Sequence, residues 1–293
     1  MLSTLAAANA IEILQILVKT AIYVGSLLAV GSALFLLLFR DAPETALDGA
    51  RNGVVFAGTA TIAFSIIGFF LQAAALGGSF GSAFDPEMIE VVLSPHGETM
   101  AMRVIGCTFM PMIANEKVRP GARASAMTGA ILVCGSFALV GHALSPPQPL
   151  PGLLLFLHLI AVAAWIGALI PLAFAAGDLS PTEAGALAHR FGRFARVLVA
   201  VLILAGLLMF TTLTGSPLPW PDDPYSTGML QKLIVVVVLL ALALRNRNQS
   251  VPAMMAGDAS AATTLRRTIA LEGLAILLIL LITAALTTLT SPA

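Results

Sequence analysis

The chain is poor in charge: of 293 residues only 10% are Asp, Glu, Lys or Arg. Soluble domains carry about a quarter, so an ordinary globular enzyme is excluded. Cysteine is almost absent, with two in all, which excludes a disulfide scaffold and a four-cysteine zinc site. Aromatics make up 6%, too few for a broad interfacial girdle. No GxxxxGK[ST], DKTG-type or HExxH motif occurs. That weighs against an ATP-driven pump and a zinc protease, and the chain reads as a non-enzyme. The N-terminal stretch MLSTLAAANAIEIL has no basic region, so a cleaved signal peptide is not expected. What is present is apolar: 58% hydrophobic residues and a mean hydropathy of +0.97. A disordered chain is thereby excluded as well.

A helix crosses the hydrocarbon layer with roughly 20 apolar residues. Eight such spans are expected, at about 11–39, 54–76, 95–113, 124–144, 151–175, 194–213, 228–244 and 269–289. The third is the least apolar and holds Arg103 and Pro111. Period-two alternation is missing, which disfavours a β-barrel, and spanning segments must satisfy their own backbone. The fold class expected is therefore all-α, a single polytopic membrane domain over 1–293, with helices 1–3 in 1–122 and helices 4–8 in 123–293. Twelve of the 15 basic residues fall in alternate loops, and the opposite loops and both termini carry none. The positive-inside rule then places the basic loops in the cytoplasm and both termini outside. Ser180-Pro181-Thr182-Glu183 spells a capping box with proline at the first helical position. It predicts a basic amphipathic lead-in to span six, and Asp85-Pro86-Glu87 predicts a short outer helix before span three.

Ionisable and soft side chains within the membrane are the functional candidates. Of four histidines, His189 lies in the basic lead-in and reads as a solvated surface residue. His96, His142 and His158 fall at the outer side. His158 is about 10 Å deep at the helical rise of about 1.5 Å per residue. Only SPPQPL separates spans four and five, so His142 and His158 sit on antiparallel neighbours. On span three His96, Met100, Cys107 and Met110 follow at offsets of 4, 7 and 3, which is one helical face, shared by Arg103. On span four Met127 and Cys134 are seven apart. Imidazole, thioether and thiol suit Cu(I) better than Mg, Ca or Mn. Methionine and cysteine are also ordinary packing residues, so Met100, Cys107 and Cys134 have a plain structural reading beside the metal one. Of the remaining charges, Lys232 reads as snorkelling to the interface. Glu272 reads as a bridge to Arg245/Arg247 or Arg266/Arg267. Arg103 argues against an open cation pore.

Several ordered segments resemble the copper resistance protein D (CopD) family of bacterial inner-membrane proteins. They are Gly141-His142-Ala143, the run 157–167 with His158, Trp165 and Gly167, and Arg190-Phe191-Gly192-Arg193-Phe194-Ala195. The run 225–233 with Tyr225 and Lys232 follows, then Asn246-Arg247, Pro252, Leu265-Arg266-Arg267 and Glu272. Glycine 192 stands where the family usually has serine, and the likeness is clear over about 138–289. The resemblance implies copper handling at the inner membrane, import from periplasm to cytoplasm, and a periplasmic copper-binding partner of the CopC type. It maps the family histidines onto His142 and His158. Two other functions fit a histidine-bearing helical membrane protein. One is electron transfer through a haem held by two histidines, which needs matched depth on facing helices. The other is a non-transporting copper-delivery protein.

Overall fold

The computed structural model describes residues 6–115, 120–139, 150–215, 219–220 and 223–290. Six helices are long and apolar enough to cross a membrane: α1 (Ala10–Leu38), α2 (Glu44–Leu76), α6 (Leu150–Asp178), α7 (Pro181–Thr214), α8 (Pro224–Met255) and α9 (Ala259–Leu289). Between α2 and α6 lie three shorter ones: α3 (Pro86–Val92), α4 (Glu98–Phe109) and α5 (Ala122–Ala138). The described residues hold no β-strand. The chain is thus an all-helical, multi-pass membrane protein.

The expected third span is broken. Ser94 has extended backbone (φ −121°, ψ 127°) between α3 and α4, and α4 tightens into a 3₁₀ stretch over Met110–Asn115. With α4 at 12 residues and α5 at 17, spans three and four fall short of the length of the other six. Several helices also begin well before the apolar runs do: α2 at 44, α7 at 181 and α9 at 259. Their starts are set by local chemistry. Ser180 and Glu183 form the expected capping box, Asp85 caps α3, Asp223 caps α8 and Asp258 caps α9. Each cap satisfies N–H groups that the first turn leaves unbonded.

α1 and α6 form the middle of the bundle, and α2, α7 and α9 pack around them. Where α1 crosses α6, the two backbones meet at Gly31 and Gly167. A Cβ on Gly31 would collide with the Ala163 carbonyl, and one on Gly167 with the Gly31 backbone. Small residues allow such close approach where lipid supplies no hydrophobic drive. The rim helices α7 and α8 expose Ile203, Leu204, Leu208, Ile234, Val237 and Val238, as lipid-facing surfaces do. The ends of the helices group consistently. Arg190 of α7 binds Asp41, just beyond α1, at 2.5 Å, and Arg266 of α9 lies over Gly177 at the end of α6. At the opposite end Lys19 of α1 donates to the Thr287 carbonyl of α9 at 3.0 Å.

Candidate functional site

The α3–α4 junction and the first turns of α4 carry the sequence's proposed stripe. His96 is half-buried and lies in the electrostatic reach of Arg103 and Lys19. Met100 packs against the cluster of Phe69, Ala73 and Val92. Cys107 is buried against α2, with Thr61 as a hydrogen-bond partner, and a Cβ added on Gly58 would stand 3.8 Å from its own. Met110 is fully buried against Gly129 of α5. The stripe is therefore one inward face, but its members meet different neighbours. Cys134 is buried in the main core, while Met127, expected to accompany it, is 55% exposed.

Arg103 turns to α5. Its Nε donates to Ser136 Oγ at 3.1 Å and its Nη2 to Thr99 Oγ1 at 2.9 Å. The guanidinium stands 5.1 Å from the centre of the Phe137 ring, which on its other contact meets Tyr23 at 5.5 Å. Tyr23 shares Thr287 with Lys19 through a 3.4 Å hydroxyl contact. Lys19 thus serves the C-terminal turn of α9, whose last carbonyls favour a cation. These hydroxyl, carbonyl and ring partners hold both cations without a carboxylate among the described residues. Thr99 stands four residues before Arg103 on α4 and Tyr23 four after Lys19 on α1, whereas Ser136, Phe137 and Thr287 come from other helices that no spacing along the chain links to them.

His158 lies on α6 against α7. A Cβ on Gly206 would stand 3.6 Å from its Cε1 and 3.7 Å from its Nδ1. Its Nδ1 is buried without a hydrogen-bond partner among the described residues. Lys232 of α8 and the Leu202 backbone of α7 are its polar neighbours. Lys232 is half-buried and lies within electrostatic reach of His158. His142 lies outside the described residues, and with it the expected approach of His142 to His158. His189 is exposed, as expected. Among the described residues no three His, Cys, Asp or Glu side chains gather in an arrangement fit to hold a metal ion.

At the other end of the bundle the expected ion pair of Glu272 is replaced. Glu272 is 4% exposed and accepts from Asn246 Nδ2 at 2.7 Å, with Trp165 as its other side-chain partner. Asn246 Oδ1 in turn receives Thr268 Oγ1 at 2.5 Å and faces Ser250 Oγ at 3.5 Å. Arg245, Arg247, Arg266 and Arg267 are all exposed: long basic side chains reach out to water and leave the carboxyl to neutral donors. Gly77-Gly78-Ser79-Phe80-Gly81 spells GxSxG, but it follows a helix, and Ser79 caps a 3₁₀ turn with its hydroxyl 2.9 Å from Ser82 Oγ. The strand–turn–helix that exposes a nucleophile is missing there.

Two family models match the chain. Residues 10–146 match the one described as Copper resistance protein D-like, N-terminal domain, and residues 185–286 match Copper resistance protein D. The chain belongs to the copper resistance protein D family. It is accordingly a copper resistance membrane protein. The match thus extends to the first half of the chain, over residues 10–146. His96, Met100, Cys107, Cys134 and His142 fall in the first matched segment, and Lys232, Asn246 and Glu272 in the second. His158 and Trp165 of this CopD-family chain lie between the two. Neither curated proteins nor solved structures give a match.

Proposed function

We propose that this CopD-family protein, a non-enzyme, binds copper in the outer half of the bacterial inner membrane and passes it from periplasm to cytoplasm. Copper is received by His142 and His158, with His96 at the rim, from a periplasmic copper-binding protein of the CopC type. The observation that carries this reading is His158: a half-buried imidazole whose buried Nδ1 has no hydrogen-bond partner among the described residues, in a chain of a copper resistance family. A buried polar atom without a partner costs free energy unless something else binds it. Met100, Cys107 and Cys134 are the soft donors available further along. Cys107 and Cys134 are both buried and serve as later steps of ligand exchange, where each site must hold the ion weakly enough to release it. Support for the orientation comes from the twelve basic residues confined to alternate loops. With it, both termini face the periplasm.

Copper stoichiometry and affinity of the purified protein test the site. His142→Ala and His158→Ala should each weaken binding, and the double variant should abolish the outer site. Unchanged stoichiometry and affinity in the double variant would overturn it. Copper uptake into sealed vesicles tests passage, and binding without uptake would instead make the protein a copper-delivery component.

A further inference from the structure

Among the described residues Glu272 is the one buried acidic side chain, and nothing in the copper path uses it. It joins three helices. Glu272 and Thr268 belong to α9, Asn246 and Ser250 to α8, and Trp165 to α6. All four side chains of the α8–α9 set are nearly inaccessible: Glu272 4%, Asn246 6%, Thr268 3% and Ser250 5%. Asn246–Ser250 is a π-helical turn in an otherwise α-helical segment, a form that recurs at functional sites. Asn246, its first residue, reaches Glu272 on α9.

The chemistry around the carboxyl is one-sided. Asn246 and Trp165 present N–H donors to it, and the Asn246 amide oxygen is taken up by Thr268. N–H groups facing a carboxyl repel a metal ion and suit a carboxylate or a carboxylic acid. The charged groups at this end of the elements packed on α9 are Arg245 and Arg247 of α8, Asp178 of α6, Glu183 and the basic 189–196 stretch of α7, and Arg40 and Asp41 beyond α1. With Arg266 and Arg267 of α9 itself, none is among the partners of Glu272. A lone carboxylate removed from water without a counter-ion costs several kcal/mol, and such groups neutralise by taking a proton.

We propose that Glu272 is a proton-exchanging site, and that its proton moves in step with copper through the protein. In the exchange the carboxyl O–H bond breaks, the proton passes to water at the end of the bundle with the basic loops, and the remaining carboxylate is held by the Asn246 and Trp165 N–H groups. Reprotonation reverses this and weakens both bonds, which tie α8 and α6 to α9. α6 is the link to copper. Trp165 lies seven residues after His158, on the same helical face and about 10 Å along the axis. The coupling half of this proposal rests on the copper reading above. The proton site does not.

Infrared difference spectroscopy of the purified wild-type protein reads the proton directly. At neutral pH a protonated-carboxyl carbonyl stretch should be present, and Glu272→Gln should remove it. Trp165→Phe should keep the band and shift it, because one donor to the carboxyl is lost. That variant keeps the proposal testable if Glu272→Gln fails to fold. Absence of a Glu272-dependent carboxyl band at neutral pH, or its loss on adding sodium, would overturn the proton site. Proteoliposomes holding a pH-sensitive dye read the coupling. Copper added outside should move protons with wild type and not with Glu272→Gln, which should still bind copper at wild-type stoichiometry. Copper uptake with no proton movement in wild type would overturn the coupling. If wild type binds no copper at all, the copper reading fails while the carboxyl band still decides Glu272.

Discussion

Replacing Gly167 by alanine tests how α1 and α6 are held together. The added methyl would meet Gly31 backbone atoms, and the reciprocal Cβ at Gly31 would lie 2.7 Å from both the Ala163 carbonyl carbon and Gly167 N. Ordinary carbon contacts begin near 3.4 Å, so the helices must part by roughly 1 Å or more. A gap of that size forfeits about a quarter to a half of each dispersion contact along the seam, at about 0.1–0.2 kcal/mol per atom pair. With the strain of overpacking, about 1–3 kcal/mol, the loss comes to about 3 kcal/mol. Alanine's better helix propensity returns at most ~1 kcal/mol, for a net destabilisation of about 2 kcal/mol, or about thirtyfold in the folding equilibrium. The internal controls are Gly192→Ala on α7 and Gly273→Ala on α9, where an added Cβ meets nothing within 4 Å. These should stabilise by up to ~1 kcal/mol. Unfolding in mixed micelles with increasing SDS, followed by circular dichroism, reads all three. If Gly167→Ala stays within about 0.5 kcal/mol of wild type, or falls together with the controls, backbone contact does not set the α1–α6 crossing.

Three further outcomes are expected. Asn246→Leu removes the amide donor from the buried Glu272 carboxyl and should destabilise by about 1–3 kcal/mol in the same titration, with Asn246→Leu/Glu272→Leu less affected than the sum of the two single variants. Ser180→Ala removes the oxygen that accepts from Glu183 N at 3.3 Å and should cost about 1 kcal/mol, read as loss of helix stability at the start of α7. The Arg190 guanidinium holds the exposed Asp41 carboxyl below the usual carboxylate range. The folded state therefore keeps this charge to lower pH than the unfolded chain, and the contribution is full above the ordinary carboxylate range and fades as pH falls through it. Thermal melts of Asp41→Asn across the acid range should accordingly show a smaller acid-side decline than wild type.

Hydropathy marks where lipid lies, and that is why the six long helices were legible as spans while their starts were not. α7 begins 13 residues before the apolar run at 194, because Ser180, Pro181 and Glu183 start a helix in water that then enters the membrane without a break. Here the cap was readable and its continuity with the span was not. In the third span the opposite happened. An apolar stretch suggested one rod, but Ser94 takes extended backbone and the tail winds tighter, leaving a 12-residue helix.

The candidate site shows the same division between what one helix encodes and what several helices assemble. The stripe of His96, Met100, Cys107 and Met110 was legible because it follows a single period, and it does face inward. Its partners were not, since α2 receives Cys107 at Thr61 and Gly58 while α5 receives Met110 at Gly129. Glu272 is the sharper case. Opposite charges nearby in sequence suggested an arginine bridge, yet arginine can satisfy its charge by reaching water, whereas a carboxyl on a short stem at a buried position cannot. The residue that meets it is Asn246, 26 positions away and the first residue of a π-helical turn. A motif that pairs asparagine with arginine therefore divides its labour: Arg247 goes to the surface, and Asn246 serves the one acid closed away from water among the described residues.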